Sequence, residues 1–457
     1  MIKNLIHSNL VCPDLDKDYP IITHGEGVYL FDQDGKKYID GTAGSAAVAG
    51  LGHSVKGISD IAKLQMDKIA AIPTFAFRSK ELEDYLAKLV SFSPEGFDRA
   101  WTATSGTEAV EQAMKLALQY HQLRGDQNRF KIISRWGSYH GNSIFTLDVG
   151  GMVSRRNSYS KWMNNFPHLP ASFIYRRPIG MTEEEYTNQS LAEFEKCVIE
   201  AGPETIAAFI AEPVVGATLG AVSPVDGYYQ EIRRVCDKYG ILMISDEVFT
   251  GFGRLGTNFG IQKFNVIPDI IATAKGMGAG YFPLSAIITH QKVSSEFVKH
   301  KATFLGGHTF ACNPVGAAVG SFVIDYFDEN KIVENSFKMG EVFKSKLQRL
   351  YRHSIVGDVR GTGLLLAIEL VADKNTKIPF AKELGISKII FDKAFSKGVL
   401  IYPGKGTYDG VSGDHIVMCP PLIINEAQIE EMVHVIDESI QELCSELQEL
   451  EILETVR

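Results

Sequence analysis

In the central part of the chain, short apolar runs alternate with longer amphipathic stretches, and this alternation constrains the fold more than any other feature. RFKIISR (129–135), ETIAAFIAEP (204–213), GILMISDEV (240–248), DIIATAK (269–275) and LSAIITH (284–290) are brief and rich in β-branched residues, so they are predicted strands. GTEAVEQAMKLALQYHQL (106–123) and DGYYQEIRRVCDKYG (226–240) are predicted helices. Strands apolar on both sides need cover on both sides, which predicts an α/β fold with a mainly parallel central sheet between layers of helix. Such sheets present ligands at strand ends, to loops and helix N-termini, so polar residues at those ends are the first functional candidates.

The flanks read differently. EGVYLFDQDGKKYIDG (26–41) alternates around Asp32-Gln33-Asp34-Gly35 and predicts a β-hairpin; helical spacing follows over 54–71 and 79–90. GDVRGTGLLLAIELV (357–371), GVLIYP and DHIVMCPP suggest strands of a smaller sheet, with a helix near 382–397 and a last helix capped by Asn425. At 457 residues the chain is long for a single core. The predicted division is an N-terminal segment or arm over 1–75, a large α/β domain over 76–330 and a smaller α+β domain over 331–457.

Charge excludes some functions. Lys and Arg number 46 against 55 Asp and Glu, a formal charge of −9 that argues against general nucleic-acid binding. No run reaches the roughly 18 apolar residues of a membrane span, and MIKNLIHSNLVCPD has no continuous apolar h-region. The six cysteines show neither C-x-x-C pairing nor a metal-ligand rhythm, so no metal is expected and a reducing, cytoplasmic location is.

Four segments carry candidate chemistry. Thr104-Ser105-Gly106-Thr107-Glu108 precedes a long helix; its backbone amides and the hydroxyls of Ser105 and Thr107 suit a phosphate, and an ordinary helix cap is the alternative. In Tyr139-His140-Gly141, Tyr139 is placed to cover an aromatic heterocycle, or else to pack a loop on the core. Asp246, in ISDEV, ends an apolar strand, where an uncompensated carboxylate is costly. A protonated pyridine nitrogen would compensate it, and Val248, two residues on along the strand, would support the ring; an N-capping role is the alternative. Lys275 lies between an apolar strand and the glycines of AKGMG, where an amine needs either an anion or a covalent use; a lysine at a sheet edge is the alternative.

The ordered set SGTEA, YHG, SDEV with GFGR, AKG and GGHTF resembles the class III pyridoxal-phosphate aminotransferases of fold type I, over 25–445. The resemblance implies pyridoxal 5′-phosphate as cofactor, with Ser105, Gly106 and Thr107 at its phosphate, Tyr139 stacked on the ring, His140 in the cofactor shell, and Val248 beneath the ring. It implies Asp246 on the pyridine nitrogen and Lys275 as the Schiff-base lysine. Glu212 is implied to organise the cofactor or a mobile arginine, unless a nearby base merely neutralises it. Arg254 is expected in a structural ion pair. Thr309, from GGHTF, is implied at the phosphate in a neighbouring subunit's site, and hence a homodimer with composite sites, with a tetramer as the alternative.

The implied reaction moves an amino group from an amine or ω-amino acid to a 2-oxo acid, pyruvate being preferred, by way of pyridoxamine phosphate. A racemase, epimerase or aminomutase on the same scaffold is the alternative, as is a diamine or 7,8-diaminopelargonate aminotransferase. Many similar enzymes carry an Arg before the final PPL strand. This chain has none there; Tyr402 and Lys405 occupy the neighbourhood, and Arg155 or Arg156 is the candidate to reach the pocket instead. Tyr19, Phe75 and Phe77 are read as core residues, with an amine pocket as the alternative.

Overall fold

The computed structural model describes residues 19–450. Near its start, β1 (Ile22–Glu26), β2 (Tyr29–Asp32) and β3 (Lys37–Ile39) form an antiparallel sheet. The predicted hairpin is its β2–β3 pair, and Asp32 fastens the turn by accepting from the amides of Asp34 and Lys36 at 3.0 and 2.9 Å. The chain then bonds to a distant segment: Ile39 N donates to Gly398 O and Leu400 N to Ile39 O.

The central sheet has seven strands, β4 (Phe97–Ala103), β5 (Lys131–Arg135), β6 (His168–Leu169), β7 (Ile206–Ala211), β8 (Leu242–Glu247), β9 (Ile270–Thr273) and β10 (Ser285–His290). Their spatial order is β4-β10-β9-β8-β7-β5-β6, and β10 alone runs against the other six. Every residue of β7, β8 and β9 is buried, the burial expected of strands covered on both faces. β4 is absent from the sequence reading: Asp98, Arg99 and Thr102 interrupt its apolar pattern, and pairing with β10 in the register Ser285 to Ala103 holds it.

The third sheet, β11 (Val356–Thr362), β12 (Leu365–Leu370), β13 (Tyr402–Lys405) and β14 (Asp414–Met418), is antiparallel in the order β11-β12-β14-β13. The helix Ile386–Ser396 packs against it on β13 and β14, and the last helix, Glu426–Glu449, started by the predicted Asn425 cap, packs on that helix. Among the described residues no helix is long and apolar enough to cross a membrane. Phe75 and Phe77 do not join the core: they are 94% and 61% exposed, and Tyr19 is 47% exposed. Their hydrophobicity alone did not reveal that the chain carries them outward.

Candidate active site

Because six strands run the same way, β4, β5, β7, β8 and β9 end along one edge of the sheet, and β10 begins there. The loops leaving these ends enclose a compartment of about 290 Å³, walled by Ser105, Gly106, Thr107, Tyr139, His140, Gly141, Asp246, Val248 and Lys275, with Phe282 and Leu284 from the approach to β10. It opens into a cleft of about 950 Å³ that shares Tyr139, Asp246, Val248 and Lys275 and adds Glu212, Arg155, Phe249, Tyr402 and Lys405.

The Ser105 turn is a helix cap and also a wall of the compartment. Ser105 Oγ accepts from Glu108 N at 3.2 Å, while Glu108 Oε2 accepts from the amides of Ser105 and Thr104 at 3.1 and 2.8 Å. The bland reading of this segment is thus realised, and the cap directs the N-terminus of the helix Gly106–Leu123 at the compartment. Gly106 is required by space: a Cβ there would stand 2.6 Å from Val248 Cγ1. Gly141 has φ +139° and would meet Thr146 Oγ1 and Thr107 Oγ1 at 2.6 and 2.8 Å.

Asp246 is buried at the end of β8. Its Oδ2 lies 2.7 Å from Nδ1 of His140, and its Oδ1 accepts from Val248 N at 3.0 Å. Val248 stands just past the strand, not on it as the alternation of β residues suggested, and still lines both cavities. Its turn is set by that amide bond to Asp246. Among the described residues, the other ring nitrogen of His140 and Oε2 of Glu212 are buried without a hydrogen-bond partner. Burial, reinforced by the charge of Asp246, pushes the Glu212 carboxyl up to about 7, against the pull of His140 and Arg135.

Lys275 lies two residues beyond β9, at the start of a short 3-10 turn, with φ +47°, a left-handed conformation costly for a residue with a side chain. Its Nζ sits 4.2 Å from the ring centre of Phe249. Burial lowers this amine to about 8, although nearby Cys419, Asp246 and Glu212 act in the opposite sense.

A strained lysine and a histidine-backed aspartate in one compartment, beside a helix N-terminus, match the ordered motifs, and the family model for class-III aminotransferases matches residues 14–440. The chain belongs to the class-III aminotransferases. An uncharacterized aminotransferase of Schizosaccharomyces pombe is 38% identical over 424 residues, covering 92% of each chain. Gamma aminobutyrate transaminase 2 of Solanum lycopersicum is 32% identical over 437 residues, 94% of this chain and 93% of that one. The crystal structure of an (S)-enantioselective omega-transaminase from Thermomicrobium roseum superposes with TM-score 0.90 at 34% identity, covering 96% and 97%. This chain is therefore an aminotransferase of fold type I.

Other candidates are sorted by packing. Thr309 is exposed and absent from the wall of its own chain's cavity. Arg254 departs from expectation: its buried guanidinium donates to the carbonyls of Leu364 and Pro420 at 2.9 and 2.6 Å rather than to a carboxylate, and burial lowers it to about 10. Arg156 is also buried, donating to the carbonyls of Leu147, Asp148 and Gly150, whereas Arg155 is exposed on the cleft wall. Sequence reasoning missed Arg135. It ends β5, and both it and Tyr229 donate to the Glu212 carbonyl at 2.5 Å, fixing the end of β7. A charged residue closing an apolar strand just before the YHG loop was the available signal.

Proposed function

We propose that this aminotransferase uses pyridoxal 5′-phosphate to move an amino group from a primary amine or ω-amino acid to a 2-oxo acid, with pyruvate as the acceptor. One observation carries the reading: the Lys275 amine, the buried Asp246 carboxylate and the Ser105–Thr107 turn face one compartment that opens onto a much larger cleft.

The residues present suit the cofactor. A helix N-terminus with two hydroxyls offers donors to a phosphate, the close approach at Gly106 and Gly141 leaves the backbone bare, and the buried Asp246 carboxyl, held by His140 and the Val248 amide, still has lone pairs facing the compartment for a ring N–H. When bound, the cofactor supplies the electron sink that stabilises a substrate carbanion. Ser105, Gly106 and Thr107 would hold its phosphate, Tyr139 and Val248 would enclose its ring, and Asp246, steadied by His140, would keep the ring nitrogen protonated. Lys275 would tether it through the amine. With that amine free, a pKa near 8 lets Lys275 accept a proton from the substrate carbon and return it close to neutral pH. Glu212 would lie beside the substrate end of the cleft. Thr309 would serve the phosphate in a neighbouring subunit of a homodimer, and the large domain over 76–330 would carry the site between the flanking segments.

The test is a panel of amine and ω-amino acid donors against pyruvate and 2-oxoglutarate, with product identified for each pair. Alanine from pyruvate is the expected result. Racemisation of a chiral donor without transfer to any 2-oxo acid would overturn the reading in favour of a racemase.

A further inference from the structure

The cleft wall is electrostatically one-sided. Its two carboxylates, Glu212 and Asp246, are buried, and Asp246 is already engaged by His140 and the Val248 amide. The charged groups that reach solvent along the same wall are Arg155, Lys382, Lys388 and Lys405, all cations. Such a lining concentrates anions at the mouth of the site.

These cations are not equivalent. Lys388 is engaged by Asp392 at 2.6 Å, and Lys382 and Lys405 offer only a point charge on a flexible stem. Arg155 offers the planar fork that matches a carboxylate with two parallel hydrogen bonds. Its one hydrogen bond among the described residues is a long 3.4 Å contact to Asn142 Oδ1, so its donors are available. Its position is nonetheless set: the guanidinium carbon lies 5.3 Å from the ring centre of Tyr139, a wall residue of both the inner compartment and the outer cleft. Arg156, its neighbour in sequence, is buried, with Nη1 held by three backbone carbonyls and Nη2 3.8 Å from the Asp148 carboxylate.

We infer that Arg155 is the residue that binds the carboxylate of the 2-oxo acid acceptor, with Lys405 adding long-range attraction. The inference rests on the proposed transfer to a 2-oxo acid. It makes Arg155 a specificity residue: it favours pyruvate over an acceptor of similar size that lacks the carboxylate, such as propanal.

The test compares the holoenzyme with Arg155→Gln and Arg155→Lys, using pyruvate and propanal as alternative acceptors and one amine donor. Loss of a charged, two-pronged contact should lower the pyruvate-to-propanal ratio of kcat/KM on the order of ten- to a hundredfold in Arg155→Gln. Arg155→Lys, which keeps the charge and loses the fork, should fall between. Independently of turnover, ligand-observed NMR titration with propionate, which has the carboxylate and no keto group, should show Kd raised about tenfold in Arg155→Gln. If wild type transfers to pyruvate while both the ratio and the propionate Kd stay within about twofold in Arg155→Gln, this assignment is overturned and the proposed function stands. If wild type transfers to neither acceptor with any donor, the proposed function fails and this assignment fails with it.

Discussion

The imidazole of His140 stands 2.7 Å from the carboxylate of Asp246, Nδ1 to Oδ2, and both side chains wall the compartment that Lys275 enters. With Asp246 ionised, Nδ1 carries the hydrogen and donates it, an assignment that follows from the partner's chemistry. The histidine thereby orients the acid and leaves its second oxygen to the Val248 amide. Asp246→Asn keeps the shape and removes the charge. Single-turnover rates with an amine donor should fall roughly 10² to 10⁴-fold, the usual worth of a positioned protonation state. Cofactor retention, measured by absorbance after gel filtration, should fall much less, because the Ser105–Thr107 turn proposed to hold the phosphate is left unchanged.

Lys275 gives a prediction with a definite sign. Its folded pKa, near 8, lies below the ordinary lysine value of 10.5, so the unfolded chain binds more protons between those two pH values. Below about pH 8 the amine is charged in both states and its burial cost is present in full; the cost is relieved as pH climbs from there toward 10.5. Cofactor-free Lys275→Met should therefore melt a few degrees above cofactor-free wild type at pH 7, with the gap closing by pH 10, on the order expected for one buried charge. Supplied with the cofactor, the same variant should lack the Schiff-base absorption band and all transfer activity. Equal Tm values at pH 7, or a gap that widens with pH, would contradict this account of the buried amine.

Glu212 titrates in the opposite sense. Its folded pKa, about 7, lies above the ordinary value of 4.5, so the folded state binds more protons between them and stability falls as pH rises through that window. Glu212→Gln removes the ionisation and should raise Tm at pH 8, where the wild-type cost is complete, with little change at pH 4.5. Thermal denaturation of the pair across this range checks it; a stabilisation confined to low pH would reverse the assignment.

At Gly141, conformation and space give the same forecast. A Cβ at φ +139° would press on Thr146 Oγ1 and Thr107 Oγ1, and Thr107 belongs to the candidate phosphate turn. Gly141→Ala should cost about 1 to 3 kcal/mol of stability, the usual penalty for a strained backbone position. It should also weaken cofactor retention, measurable by equilibrium dialysis. Unchanged stability together with unchanged retention would show that the loop yields without cost.

Much of the fold was legible because its determinants are local. Apolar runs too short for helices, spaced by amphipathic stretches, demand a covered parallel sheet, and β7, β8 and β9 are buried along their whole length. β4 was not legible, since its polar residues break the pattern and only the register with β10 makes it a strand. Arg254 was misread for a related reason: a buried guanidinium needs acceptors, and sequence does not say whether a carboxylate or a carbonyl will arrive.

Sequence alone determined the family and the types of group at the strand ends, because lysine, aspartate, glycine and hydroxyl residues in fixed order carry their chemistry wherever the sheet places them. Tertiary structure alone decided between Arg155 and Arg156. Adjacent residues on a helix point about 100° apart, and packing on the 147–150 turn buries one guanidinium among carbonyls while the other is left on the cleft wall. No residue type encodes that choice, because the acceptors are backbone carbonyls of the preceding turn, which any side chains would supply, and only the way the two turns pack selects the guanidinium that reaches them.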